Sequence, residues 1–459
     1  MADTPASFRK RLKEELALWQ QEGLVSPNAA SKLIARYGLD AIGGETANYL
    51  ITAIYIIGAL LIGGGVISLV ASHWEQMGPA FKLVLIIGAM LAAYTGGYHY
   101  WKVSCRRPRL GHALVVLGTL IFGANIGLVA QIFHIQSNFY NGFAAWAVGA
   151  AAVGYAAVST PVMTIAIVTS FIYFAGWSMD NPDRFAWYTL AAGALLLPYA
   201  YLWNSAWTAF LTALVIGIAL LVTGGTGGEF MGFALASVTA ASLLYAWGLL
   251  HKSLTRMPGL EGALKFLGAL TLCLAAYLCS FGDMARDLRF HSWHADRYGW
   301  AWTRSLGIAA AVSIGLWVAA IGRQVRGATA GGPATTGHLL KTVFSQVDLT
   351  FAAGLVLFLA TVLVQLDGLA MTLANVTCLI LAAGFIRAAF VTLDRRPFWS
   401  GLLLLALVIV SRFFEWDTDL MLKALVLIVT GIGVLVGGVA FEKHLKAGRP
   451  TPPVQGGIQ

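Results

Sequence analysis

Four side chains with metal-binding chemistry, Asp283, Asp287, His291 and His294, fall in one short stretch, spaced 4, 4 and 3 apart. On a helix that spacing places all four within about 80° of arc on one face. Two carboxylates and two imidazoles so arranged can hold Zn²⁺ or a similar ion, with other loops completing the shell. Arg286, Arg289 and Arg297 stand among them and oppose a concentrated cation site. Trp293, Trp300 and Trp302 favour the plainer expectation, an amphipathic helix at a membrane interface with ion pairs along its wet face. No cofactor is expected, a metal ion at this loop being the open alternative.

A second constellation runs along one helical stripe. Thr119, Gly123, Gly127 and Gln131 recur every fourth residue, and His134 follows three further on. Small residues on one face let another helix approach closely. With the mid-span amides Asn125 and Asn375, Gln131 and His134 are the candidates for lining a polar cavity or substrate path. The bland alternative is a packing seam whose glutamine bonds a neighbouring helix. A third group, Arg412, Glu415, Asp417 and Asp419, crowds the turn 411–419 before the last apolar run. Asp417 or Thr418 can cap the helix that follows, and Asp419 suits its positive end. These charges can recognise a headgroup, but an interfacial salt-bridge cluster that fixes helix position is the expectation. Glu75, beside His73 and Trp74, is a lone carboxylate for work on a lipid-linked substrate. No Walker A, H-E-x-x-H or G-x-S-x-G motif accompanies any of these, so an enzyme is not the expectation.

The elements carrying these residues are set by composition. Of 459 residues 58% are hydrophobic and only 11% charged, against about 25% charged in a soluble domain. Such a chain must face lipid or other helices over most of its surface. Apolar runs long enough to cross a bilayer recur from 49–71 to 420–441, giving an all-α polytopic transmembrane bundle of about 14 spans. The weakest divisions are Val158-Ser159-Thr160-Pro161, between runs 142–158 and 161–178, and the pair around Asp367-Gly368, so 12 spans is the alternative. Placing the N-terminus inside assigns 22 of the 30 Lys and Arg to that side, with both termini cytoplasmic. The net charge of +9 is dispersed through short loops. Anionic lipid is therefore the expected partner of this charge, and nucleic acid is not. Cys105, Cys273, Cys279 and Cys378 form no ligand cluster.

The expected organisation has five parts. Residues 1–48 form a cytoplasmic helical hairpin, with Phe8, Leu12, Leu16 and Trp19 at helical spacing, Gly23 ending the first helix, and Ser26-Pro27 opening the second. A bundle of about ten spans covers 49–326, and a flexible cytoplasmic linker 327–346. Four more spans cover 347–441, and a Pro/Gly-rich disordered tail 442–459. The hairpin is the expected place for a cytoplasmic protein partner; no oligomeric state is legible.

Several motifs together resemble a bacterial family of predicted membrane proteins, domain of unknown function 2157. They are Trp19-x-x-x-Gly23-Leu-Val-Ser26-Pro27-x-x-Ala30-x-x-Leu33, the glycine-rich run Ile57 to Gly65, His73-Trp74, and Phe122-Gly-Ala-Asn125 through Gln131-Ile-Phe-His134. The similarity covers about the first 140 residues, and the segment from Arg412 to Lys443 is similar to the ends of related multispan proteins. The resemblance implies a bacterial cytoplasmic membrane and brings no activity or catalytic residue. Span number and glycine-rich helices favour transporter-like or flippase-like handling of a lipid or small polar solute. A scaffold or envelope sensor using the hairpin, and a membrane enzyme on a lipid-linked substrate, are the alternatives.

Overall fold

The computed structural model describes residues 12–37 with gaps, 76–180, 185–226, 230–252, 257, 259–282, 295–329, 344–364, 367–415 and 419–447. Within these residues every regular element is a helix. The chain divides into two units, Met1–Leu85 and Ile86–Gln459. The expected span 49–71, His73 to Glu75, the metal candidates Asp283, Asp287, His291 and His294, and most of the 327–346 linker lie outside the described residues.

In the first unit, helical residues up to Gln20 give way at Gly23, whose φ of +73° is the left-handed conformation glycine adopts without strain. The Ser26 hydroxyl accepts the Ala29 N–H, and α1 (Pro27–Tyr37) begins with proline where a missing N–H costs nothing.

From there the helices run as follows: α2 (Pro79–Tyr98), within which the unit boundary falls, and a single π-helical segment His99–Val103; α3 (Pro108–Ile132), α4 (Tyr140–Ala157), α5 (Thr160–Asp180), α6 (Phe185–Leu202) and α7 (Ala206–Thr226); α8 (Phe230–His251), α9 (Leu260–Cys279) and α10 (Ala295–Thr329); and finally α11 (Gln346–Leu363), α12 (Asp367–Thr392), α13 (Arg395–Glu415) and α14 (Leu420–Ala447). Ten of the described helices are long and apolar enough to cross a membrane. Those at Tyr140–Ala157, Phe185–Leu202 and Ala206–Thr226, where sequence places three further spans, are not among the ten.

Two breaks show how the chain is divided. At Val158 the backbone turns left-handed (φ +53°), ending α4 and letting Ser159 cap α5. Within α6, Pro198 has no N–H to give the ladder. Beside it the Tyr155 hydroxyl is inserted, donating to the Leu195 carbonyl at 2.5 Å and accepting the Tyr199 N–H at 3.0 Å. A neighbouring side chain thus supplies what the interrupted helix lacks.

The largest core cluster joins α8, α9, α10, α11, α12 and α13, and much of it is alanine: Ala234, Ala241, Ala275, Ala276, Ala374 and Ala382 are all buried. In lipid, association rests on close packing rather than on escape from water, and small side chains permit it. At Gly268 of α9 a Cβ would stand 2.9 Å from the Tyr245 backbone nitrogen of α8, so only glycine allows that crossing. By contrast α14 keeps most of its apolar surface bare, Leu435 being 71% exposed.

Candidate functional site

Among the described residues, a dense polar assembly surrounds the start of α9. Glu261 and Lys265 stand one turn apart there, with Lys265 Nζ 2.7 Å from Glu261 Oε1. The same ammonium reaches Asp348 Oδ1 of α11 at 3.1 Å. Asp348 occupies the third position of α11 in a capping box: its Oδ2 accepts the Ser345 N–H at 2.9 Å, and its own N–H donates to Ser345 Oγ at 3.2 Å. Tyr245 of α8 completes the shell, its hydroxyl donating to Asp348 Oδ1 at 2.7 Å. The tyrosine ring lies flat on Phe351, centroids 3.7 Å apart. Asp348 is 1% exposed and the Lys265 side chain 16%. A buried carboxylate survives because an ammonium, a phenol, a backbone N–H and the positive end of α11 all face it. We call this assembly the first clamp.

A second clamp holds the other end of α9. Ser280, the C-cap residue, accepts at its carbonyl oxygen from Arg412 Nη1 of α13 at 2.7 Å and from Asn375 Nδ2 of α12 at 3.3 Å. Its hydroxyl receives Arg412 Nη2 at 3.0 Å. Glu415 pairs with Arg412 through one oxygen and accepts the Gly282 N–H at 3.0 Å through the other. The guanidinium lies 4.3 Å over the Phe281 ring. The last carbonyls of a helix lack partners and carry its negative end, so a cation is what that end calls for. Nε of Arg412 is buried without a partner. Lys265 and Ser280 stand about 22 Å apart along α9, at about 1.5 Å per residue. Between the two clamps α9 buries only Gly268, Leu272, Ala275, Ala276 and Cys279.

The structure distributes the residues singled out in the sequence. Arg412 and Glu415 come together in the second clamp, and Asn375, proposed for a cavity, joins them. Asp419 is exposed, its carbonyl accepting the Lys423 N–H, while Asp417 lies outside the described residues. On α3, Thr119 is buried and receives the Tyr94 hydroxyl at 3.3 Å, and Gly123 meets the Trp146 ring. Further along, Gly127 faces open space, and Gln131 and His134 are exposed. Asn125 is buried, with Nδ2 3.5 Å from Met90 Sδ and Oδ1 unpartnered. The hydrogen bonds of Asn125 and Asn375 therefore lead to different helices.

Lys265, Asp348 and Tyr245 are absent from the sequence candidates because Lys265 counts there as a loop charge. Two signals pointed to them: the Ser345-x-x-Asp348 capping spacing, and Glu261 one turn before Lys265.

A family model described as "Predicted membrane protein (DUF2157)" matches residues 17–163, the N-terminal third. No curated protein and no solved structure matches the chain. Both clamps lie beyond the matched segment.

Proposed function

We propose that this membrane protein is transporter-like or flippase-like. It moves a lipid or small polar solute across a bacterial cytoplasmic membrane, spans it about fourteen times and keeps both ends inside. The single observation carrying the reading is the pair of clamps. Helix α9 is tied by charge-assisted bonds to α11 at one end and to α13, with a hydrogen bond from α12, at the other, and the contact between them is apolar. Alternating access needs two polar closures that open in turn across a contact able to slide. Charge-assisted pairs suit such closures, since they hold at fixed geometry and exchange their partners for water when parted.

The test is transbilayer movement in vesicles of phosphatidylethanolamine and phosphatidylglycerol. A fluorescent lipid analogue and an external quencher report flipping, and a panel of small polar solutes reports uptake. Two double-cysteine variants, Lys265→Cys with Asp348→Cys and Ser280→Cys with Arg412→Cys, allow each clamp to be locked by a reducible bis-methanethiosulfonate cross-linker, whose spacer takes up the reach of the lost lysine and arginine side chains. Movement above protein-free vesicles that either lock abolishes, and reduction restores, supports the reading. Movement that neither lock alters, or none for any probe with folded protein, overturns it.

A further inference from the structure

Helices α13 and α14 pack closely at the end where Phe398 and Phe441 lie. There the Phe398 and Phe441 rings stack with centroids 4.1 Å apart, and Arg395 donates two bonds of 2.7 Å to Glu442. Between that end and Phe414 a gap opens along the pair. A Cβ on Gly437 would touch Leu402 at 3.9 Å, whereas one on Gly433 would meet nothing within 4 Å. The gap is a groove of about 470 Å³, walled on one side by Leu405, Ile409 and Phe413 and on the other by Leu425, Val429 and Gly433. Thr430 is the one polar side chain in its lining. Both helices are long and apolar enough to cross a membrane, which puts the groove at hydrocarbon depth, where neither water nor vacancy is a stable filling.

At the mouth the chemistry changes. Lys423 lies on the groove-facing side of α14, since 423, 426, 430 and 433 follow one another at spacings of 3, 4 and 3. Its ammonium stands 5.8 Å from the centroid of the Phe414 ring of α13, and it makes no ion pair among the described residues. Glu415, the nearest acid on α13, is already committed to Arg412 and the Gly282 N–H. An apolar slot ending in a cation is complementary to an acyl chain with an anionic head. A second copy's apolar helix would cover the slot but bring no anion to Lys423, so a lipid with an anionic head is the better match.

We infer that this groove binds one anionic phospholipid, its acyl chain between α13 and α14 and its phosphate at Lys423. The site is separate from the two clamps, and it stands whether or not anything is transported.

The test is native mass spectrometry of the full chain in detergent, titrated with phosphatidylglycerol or with phosphatidylcholine of the same acyl chains. For the first lipid bound, a single lysine near the headgroup predicts a preference of about fivefold for phosphatidylglycerol. Lys423→Gln abolishes the preference and leaves binding. Gly433→Phe, for which the backbone leaves room, fills the slot and lowers first-lipid binding for both headgroups. Val429→Trp does the same from its half-bare position if the first variant folds poorly. Equal binding of both lipids by the wild type, undiminished binding in both filled variants, or a dimer that the filled variants dissociate overturns the inference.

Discussion

Removing one partner at a time from the first clamp has unequal consequences. Lys265→Met leaves the Asp348 carboxylate 1% exposed, with only the Tyr245 hydroxyl and the Ser345 N–H to stabilise it. A buried charge stripped of its counter-ion costs about 3–5 kcal/mol. Asp348→Asn, by contrast, leaves Lys265 its second carboxylate, Glu261 at 2.7 Å, and keeps an oxygen for the tyrosine. Its cost is that of imperfect hydrogen bonding, about 1–3 kcal/mol. The double variant carries no stranded charge at Asp348, so it is expected to be more stable than Lys265→Met alone, with a coupling of about 2 kcal/mol. Reversible unfolding in mixed micelles of rising SDS content, read by far-UV circular dichroism, gives the three free energies. The reasoning is refuted if Lys265→Met is no worse than Asp348→Asn, or if adding Asp348→Asn to Lys265→Met destabilises further.

Other substitutions address local devices. Tyr155→Phe removes the hydroxyl between Leu195 and Tyr199, so the α6 backbone beside Pro198 loses about 1–3 kcal/mol; faster hydrogen exchange at the Tyr199 amide is the expected signature. Val158→Gly relieves a branched residue at φ +53° and is expected to raise stability by about 1 kcal/mol, measured by the same SDS titration. Gly111→Ala would set a Cβ 2.5 Å from the Trp101 nitrogen and 2.7 Å from the Gly97 carbonyl, and should sharply reduce the yield of monodisperse protein. Gly88→Ala, which meets nothing within 4 Å, should leave that yield unchanged.

Local signals in the sequence are strong, and the structure follows several of them. The tetrapeptide Val158 to Pro161, a doubtful division when read as sequence, does separate two helices, because Val158 turns left-handed and Ser159 caps the next. Asp367-Gly368 likewise opens α12 after α11 has ended at Leu363. Partnership between distant helices was not legible. Tyr245 and Asp348 are 103 positions apart, and Arg412 and Ser280 132. In an apolar chain almost any helix can neighbour any other, so hydrophobic periodicity leaves pairing open. Charge placement misled for a related reason: Lys265 sits near a span boundary, where a lysine normally reaches the headgroups, but here α8 and α11 enclose it. The gap between α13 and α14 was hidden too. Gly433 and Gly437 have the spacing of a close helix crossing, yet only Gly437 is approached.

On the proposed transport reading, the distribution of charge around α9 narrows what the bundle would pass. Glu261, Lys265 and Asp348 sit at one end and Arg412 and Glu415 at the other, and the buried side chains between them are apolar. An ion or charged solute taken along this contact would shed its hydration with nothing to replace it over most of about 22 Å, a cost of many kcal/mol. An amphiphile with an uncharged polar head meets a smaller barrier, because that head gives up hydrogen bonds rather than the hydration of a charge while its chain stays in hydrocarbon. On the transport reading proposed above, the clamps therefore favour a lipid with an uncharged head over an ion. Lipid movement blocked by either locked clamp, with no ion flux in the same vesicles, is the result this argument requires; ion flux that tracks the state of the clamps would refute it.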